Sequence, residues 1–162
     1  MHIRPALPQD METVWQLFKQ VIDENIYYPY DQHTTREEIE SSWVTLKNLV
    51  YVATTATDDE ITGAYILKPN QPGWGSHIAN AAYMVDNKHR GKGIGGLLAT
   101  HSIASAREAG YRGMQFNLVV STNTAAVKAW LASGFDIIGT IPGGFYHIEQ
   151  GYVDAYIFFK AL

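Results

Sequence analysis

The stretch that most constrains the fold of this chain is a glycine-rich segment, Lys88-His89-Arg90-Gly91-Lys92-Gly93-Ile94-Gly95-Gly96. It follows an apolar run, residues 78–85, that is typical of a β-strand, and it precedes a run with the apolar spacing of a helix. Glycines let backbone N–H groups turn toward an anion without interference from a Cβ, and the helix dipole favours an anion at the same place. Arg90 and Lys92 add positive charge. The segment therefore predicts a phosphate-binding loop between a strand and a helix.

Three interpretations of this loop compete. Three of its glycines spell the G-x-G-x-x-G pattern of dinucleotide-binding folds, which requires an Asp or Glu about 20 residues later. The strand at that place, residues 114–120, ends in Ser121 without a carboxylate. Arg90, Gly93 and Gly95 match a different pattern, R-x-x-G-x-G. The third alternative is a glycine-rich surface turn that binds nothing.

The composition narrows the class of protein. A chain of 162 residues with 46% hydrophobic content is long enough for one domain, residues 1–162, with a full core. The net charge of −4 provides no bulk positive field for nucleic acid or an anionic membrane. The absence of cysteine excludes disulfides, thiolate metal sites and a cysteine nucleophile, and the histidines lack the spacing of metal ligands. We expect neither a metal nor a nucleic-acid partner.

The distribution of apolar residues along the sequence predicts where the protein resides. The first residues, Met1-His2-Ile3-Arg4-Pro5, lack an apolar signal segment, and no apolar run reaches the roughly 20 residues that span a bilayer. We therefore expect a soluble, cytoplasmic protein without a membrane partner.

Periodicity and turn signals predict a mixed sheet. The hairpins predict antiparallel pairing, and the strand-helix-strand units around the glycine loop predict parallel pairing. Thr35 and Glu38 form a capping-box pattern at the start of the second helix, whose apolar stripe is Ile39, Trp43 and Leu46. In order, the predicted elements are a strand at 2–6, a helix capped by Asp10, a helix after Thr35, strands at 49–54, 61–67 and 78–85, a helix at 93–109, a strand at 113–120, a helix at 124–133, and strands at 135–141 and 152–159.

This order of elements, with two motifs, resembles the GNAT superfamily of N-acetyltransferases. The first motif is the R-x-x-G-x-G loop, which binds the pyrophosphate of acyl-CoA in that family. The second is N-x-x-A followed by G-F, matched by Asn123, Ala126, Gly134 and Phe135. The resemblance implies an α/β (α+β) fold with a mixed, mostly antiparallel twisted sheet of about seven strands, flanked by about four helices.

The resemblance also implies acetyl-CoA as co-substrate and a set of residues that hold it. Where the family helix carries a tyrosine that protonates the departing thiolate, this chain has Trp130, whose indole N–H can donate a hydrogen bond but no proton. Trp130 is alternatively a core aromatic. The implied cofactor-binding residues are Met84, Val85, Arg90, Gly91, Lys92, Gly93, Ile94, Gly95, Gly96, Asn123, Ala126 and Trp130.

The implied chemistry is direct attack of a neutral amine on the thioester carbonyl. The backbone N–H of Val85, at the end of the strand before the loop, would stabilise the oxyanion. The general base is open: Glu149, His147, or water relayed from Asn80 or Tyr83 are the candidates. We expect His147 to be a surface-loop histidine rather than a catalytic one.

A narrower resemblance concerns the acceptor. Residues 116–119, Phe-Asn-Leu-Val, with Ser121-Thr122-Asn123 and 151–154, Gly-Tyr-Val-Asp, resemble the branch that includes fungal N-acetyltransferases acting on proline analogues. The resemblance implies that Asn117 contacts the acceptor, although a structural amide is the alternative. Tyr27, Tyr28 and Tyr30 either form an aromatic wall over the acceptor or pack their loop onto the sheet.

Several functions therefore compete. The leading one is transfer of an acetyl group from acetyl-CoA to a small-molecule amine acceptor, an amino acid or analogue. The alternatives are a non-catalytic acyl-CoA-binding module, a protein or peptide N-acetyltransferase, and a dinucleotide-binding oxidoreductase. The resemblance further implies a homodimer, because family members often pair and a C-terminal hairpin offers a free edge.

Overall fold

The computed structural model describes residues 1–24, 26–43, 48–57 and 59–162, and it contains a seven-stranded mixed sheet. The strands follow the order β1-β2-β3-β4-β5-β7-β6, and every neighbouring pair is antiparallel except β4 and β5. The mixed, mostly antiparallel sheet and the four helices are as predicted. The strands are β1 (His2–Pro5), β2 (Leu49–Thr54), β3 (Ile61–Pro69), β4 (Ile78–Val85), β5 (Gly113–Val120), β6 (Asp136–His147) and β7 (Gly151–Ala161). The helices are α1 (Met11–Glu24), α2 (Arg36–Trp43), α3 (Ile94–Glu108) and α4 (Thr124–Ala132).

Two apolar cores lie on opposite faces of the sheet. Successive strand residues point to opposite faces, so Ala64 and Ile66 of β3 pack under α1 and α2, whereas Tyr65 and Leu67 pack under α3 and α4. The buried face of α1 has the three-four spacing that the sequence predicts, with Val14, Leu17, Phe18, Val21 and Ile22. We call the two sides of the sheet the α1 face and the α3 face.

The starts of α1 and α2 differ in how well the sequence predicts them. Glu38 N–H donates to Thr35 Oγ1 at 3.3 Å and Thr35 N–H donates to Glu38 Oε2 at 2.8 Å, which confirms the capping box. Leu46, predicted to belong to the apolar stripe of the same helix, lies outside the described residues. The prediction that Asp10 caps α1 is wrong. Asp10 closes a 3₁₀ turn, and its carboxylate accepts from Leu7 N–H and pairs with Arg4, both at 2.6 Å.

The C-terminal hairpin is longer than predicted. β6 continues past Pro142 to His147 because a register shift between Ile141 and Phe145 takes up the extra residues, with Gly143 at a φ of 60°. His147 is buried, so the expectation of a surface-loop histidine is wrong. No helix in the described ranges is both long and apolar enough to cross a bilayer.

Candidate active site

β4 and β5 separate soon after they meet. Their pairing consists of Ile78 with Gly113 and Ala79 with Met114, after which the two parallel strands diverge. A cleft of about 420 Å³ occupies the gap. It is lined from the α1 face by residues 27–30 and from the α3 face by residues of α4. The divergence therefore opens a passage between the two faces of the sheet.

The backbone of β4 directs polar groups toward this gap. Asp86 N–H donates to Thr62 O at 2.9 Å and Asn70 N–H donates to Ile78 O at 2.7 Å, so the even-numbered residues bond to β3. Hydrogen-bonded and non-bonded pairs alternate along an antiparallel ladder, so the odd-numbered residues direct their N–H and C=O groups toward the gap. Val85 N–H, the predicted oxyanion donor, therefore points away from β3.

Tyr28 meets the backbone of β4 inside the gap. Its hydroxyl accepts from Tyr83 N–H at 2.9 Å and donates to Tyr83 O at 2.7 Å. Burial raises the pKa of Tyr28, which keeps the phenol protonated and able to make both bonds. Residues 27–30 therefore pack onto the sheet through Tyr28, and they also line the cleft.

The glycine-rich loop directly follows β4 and opens α3. Gly91 and Gly93 have φ values of 76° and 79°, which other residues rarely adopt, and Gly93 is the N-cap of α3 without any side-chain cap. A Cβ added at Gly95 or Gly96 would meet nothing within 4 Å. The first-turn N–H groups of a helix have no intrahelical acceptor. The loop thus offers an open, unoccluded set of donors that fits a diphosphate.

Arg90 and the end of α1 hold this loop from one side. Arg90 Nη1 lies 2.8 Å from Glu24 Oε1, and Asn87 N–H donates to Gln20 Oε1 at 3.3 Å. Lys92 is exposed beside Arg90. An anion that binds the loop would share Arg90 with the Glu24 carboxylate.

α4 supplies the α3-face wall of the cleft. Asn123 caps α4, with its Oδ1 accepting from Ala126 N–H at 3.1 Å. Trp130 packs against Phe116 at 4.5 Å and Tyr83 at 5.0 Å between ring centroids, and it lines the cleft together with Asn123 and Ala126. The structure therefore brings these three predicted cofactor residues to one wall. Trp130 is both a core aromatic and a cleft residue.

The opposite mouth of the cleft carries a network of carboxamides. Asn117 Nδ2 donates to Asn70 Oδ1 at 2.7 Å, and Asn80 Nδ2 donates to the same oxygen at 3.1 Å. Gln115 Nε2 donates to Asn117 Oδ1 at 2.9 Å. Asn117 sits where the pairing of β5 with β7 shifts register, between Phe116 and Val119. It lines the cleft and is satisfied by amides, so its two predicted roles are compatible.

The sequence interpretation did not identify Asn70 or Lys68 as site residues, although both line the cleft. Both follow residue 67, where the sequence predicts that the strand ends. The hairpin register is the signal that could have identified them: Lys68 lies directly opposite Asn80 on β4, which places two polar side chains on one face of the sheet.

The side chains of three further predicted residues lie in different places. The Tyr83 hydroxyl is 2.7 Å from Ser102 Oγ, under α3, and burial raises its pKa. Met84 is buried in the α1-face core. Glu149 is exposed in the turn after β6, where its N–H donates to His147 Nδ1 at 3.2 Å. In the described part of the chain, the acidic and histidine side chains form no group of three that could hold a metal.

Known proteins share this arrangement. The model of the acetyltransferase (GNAT) family matches residues 15–135. N-acetyltransferase aca1 of Schizosaccharomyces pombe is 35% identical over 146 residues, which cover 81% of this chain and 70% of that protein. This relative is consistent with the fungal branch that the motifs indicated.

Two solved structures superpose over nearly the whole chain. A GCN5-related N-acetyltransferase from Kribbella flavida has a TM-score of 0.94 at 36% identity, covering 99% of this chain and 97% of its own. The fold of yncA from Salmonella typhimurium, solved with its cofactor acetyl-CoA, has a TM-score of 0.84 at 20% identity, covering 100% of this chain and 94% of its own. With the match to the family model, these likenesses show that the chain belongs to the acetyltransferase (GNAT) family.

Proposed function

We propose that this acyltransferase moves the acetyl group of acetyl-CoA to the amine of a small-molecule acceptor, an amino acid or analogue. The observation that carries the proposal is the passage between β4 and β5, which joins a wall of α4 residues to a separate polar mouth. Two substrates can enter such a passage from opposite faces and meet inside it, and positioning of this kind supplies much of the rate of an acyl transfer.

Acetyl-CoA is the co-substrate, and it supplies an acetyl group activated as a thioester. The glycine loop with Arg90 binds the pyrophosphate in this proposal, and Asn123 and Trp130 flank the pantetheine arm. Val85 N–H, directed into the gap, donates to the carbonyl oxygen. The indole of Trp130 donates no proton, and a thiolate with an ordinary pKa of about 8.5 can leave near neutral pH without one.

A small acceptor fits the polar mouth better than a protein chain. The cleft volume of about 420 Å³ lies in the range of small-molecule sites, and residues 27–30 cover it from the α1 face. Asn117 is the residue to which we assign acceptor contact. Peptide N-acetylation is the alternative acceptor class.

Glu149 and Tyr83 stay predictions for the proton transfer. The described residues that line the cleft include no Asp, Glu or His, so the attacking amine has no carboxylate or imidazole base beside it among them. If Glu149 accepts the proton, Glu149→Gln lowers kcat at neutral pH. An unchanged kcat would assign proton removal to water, and the rate would then rise with pH as the free amine deprotonates.

The test is thiol release from acetyl-CoA by the purified protein with pooled amines: amino acids, proline analogues, polyamines and short peptides. Release that depends on the amino-acid pool supports the proposal, and release with peptides only supports the alternative. No release with any pool, while acetyl-CoA binds, contradicts it. With an active acceptor, Asn117→Ala should raise the KM for the acceptor more than the KM for acetyl-CoA. Equal effects on both would make Asn117 structural.

We also propose a homodimer formed through β6. This strand is at the edge of the sheet and carries three exposed isoleucines, Ile137, Ile138 and Ile141. Long apolar edges of soluble proteins are usually covered. Light scattering should give twice the chain mass, and Ile138→Lys should give a monomer. A monomeric parent protein at micromolar concentration would contradict the dimer.

A further inference from the structure

Among the described residues that line the cleft, Lys68 has the one charged side chain. It lies near the end of β3, half-buried, and projects from the α1 face opposite Asn80. The other lining residues are aromatic, aliphatic or carboxamide in character. The described lining of the cleft therefore carries one positive charge and no negative charge.

Among the described residues, this positive charge has no carboxylate partner. Arg4, Lys19, Arg36 and Arg90 each form an ion pair with a carboxylate, whereas no carboxylate among the described residues lies within 4.0 Å of Lys68 Nζ. A partly buried charge without a counter-charge is unfavourable unless a ligand or water satisfies it. The position of Lys68 inside a ligand-sized cleft points to an anionic group on the ligand.

The surroundings of Lys68 favour the same conclusion. Asn70 is two residues further on the same face, and it bonds to Asn80 and Asn117 through one oxygen. Each carboxamide carries two N–H groups, so the three bonds of the network leave further N–H donors at the mouth of the cleft. A carboxylate accepts several hydrogen bonds and binds well where a cation and neutral donors meet.

The cleft also has apolar and aromatic residues on the α1 face. They are Tyr27, Tyr30, Pro29 and Ile66. This wall can take the hydrocarbon part of a small amino acid while the Lys68 side takes its acidic end. A polyamine would bring like charge toward Lys68 and is disfavoured.

We propose that Lys68 binds the carboxylate of the acceptor, so that the protein selects amines that carry a carboxylate over neutral or cationic amines. This inference rests on the proposed function, and it assigns Lys68, with the carboxamides around it, as the determinant of acceptor specificity. Lys68 holds the acid end of the acceptor, which leaves the amine to face the gap between β4 and β5.

The test compares amino acids with their carboxamides. A panel that includes proline and hydroxyproline is assayed beside the matched amides, which keep the shape and remove the charge. Amidation also makes the amine less basic, so a larger share of it is neutral and reactive at pH 7.5. Preference for the acids would therefore come from binding of the carboxylate. We expect kcat/KM to be about 10- to 100-fold higher for the acids.

Three variants assign the preference to one side chain. Lys68→Met keeps the aliphatic stem and removes the charge, and it should lower kcat/KM for the acids about 10- to 100-fold while the amides change less than about threefold. Lys68→Arg keeps the charge and should retain most of the preference. Lys19→Met, on the exposed side of α1, is the matched control and should change neither. The KM for acetyl-CoA should be unaffected in all three.

Equilibrium binding separates this inference from the proposed function. Calorimetric titration of the protein, saturated with CoA, measures binding of the acids without turnover. If the acids bind through Lys68 but no acetyl transfer occurs, the carboxylate site stands and the proposed reaction fails. Equal use of acids and amides, or a preference that survives Lys68→Met in a folded protein, overturns the role of Lys68. If the acids neither bind nor are acetylated, both the carboxylate site and the proposed reaction are overturned.

Discussion

The hydroxyl of Tyr28 bridges the backbone N–H and C=O of Tyr83, at 2.9 and 2.7 Å, where β4 has lost its neighbour β5. One side chain thereby replaces the two ladder bonds that a paired strand would make. Its ring also packs near Phe18 and Tyr30 in the α1-face core. The contact occupies the gap beside Tyr83, and it fixes residues 27–30 over the cleft.

Tyr28→Phe should therefore destabilise the protein. The substitution keeps the ring but leaves the Tyr83 N–H and C=O without their partner, which costs about 1–3 kcal/mol in a buried setting. Urea unfolding measures the change. Tyr30→Phe is the control, because no hydrogen bond of the Tyr30 hydroxyl is seen among the described residues, and it should cost less than about 0.5 kcal/mol. Equal stability of the two variants would show that the bridge contributes nothing.

Alkaline pH should weaken the fold through its buried tyrosines. Burial raises the pKa of Tyr28, Tyr65 and Tyr83. In the unfolded chain these phenols lose their protons near pH 10, while the folded chain keeps them protonated. The unfolded state then binds fewer protons, so the free energy of unfolding falls as pH rises above about 10.

Tyr83→Phe should reduce this pH dependence by up to about 1.4 kcal/mol per pH unit. Urea unfolding at pH values from 8 to 11 provides the slopes. The Tyr83 side chain also bonds to Ser102, so the variant will be less stable at every pH, and the slope is the quantity to compare. Parallel curves for the two proteins would contradict ionisation of Tyr83 on unfolding.

Arg90→Ala should weaken binding of CoA through the pyrophosphate alone. The guanidinium is partly exposed and shared with Glu24, so we expect the Kd for CoA to rise by about 5- to 30-fold. Pantetheine lacks the pyrophosphate, and its affinity should not change. Calorimetric titration of both ligands makes the comparison. A similar loss for pantetheine would mean that Arg90 supports the loop structure rather than the phosphate.

Substitutions of Asn123 should separate its capping role from its predicted cofactor role. Asn123→Ala removes the acceptor of Ala126 N–H and should cost about 1 kcal/mol of stability. Asn123→Ser retains a capping oxygen and should cost only a few tenths of that. If the amide also holds the pantetheine arm, both variants should bind acetyl-CoA more weakly. Normal affinity in the serine variant would limit Asn123 to the cap.

The parts of the fold that the sequence predicted depend on local signals. Gly93 has the positive φ that a glycine N-cap provides at the start of α3, and Asn123 caps α4 through a bond three residues along the chain. Thr35 and Glu38 behave likewise. Such contacts need only the neighbouring residues, so their patterns can be recognised in the sequence.

The parts that the sequence did not predict depend on contacts between distant segments. Tyr28 and Tyr83 are 55 residues apart, and Asn70 and Asn117 are 47 apart. These pairs meet only because β4 and β5 diverge after two paired residues, and no periodicity encodes where a sheet opens. Pro142 and the following glycines indicate a break by composition, but a bulge lets β6 continue and buries His147.

The place of β7 in the sheet bears on how the chain assembles as a ribosome releases it. β1 to β4 each neighbour the next strand along the chain and can pair in order of synthesis, whereas β7 lies between β5 and β6, which both precede it. The outer edge of β5, the strand that carries Asn117, must therefore wait for residues 151–161. Until they emerge, that edge lies uncovered, and a nascent chain of that length is a natural client for chaperones that bind exposed strands.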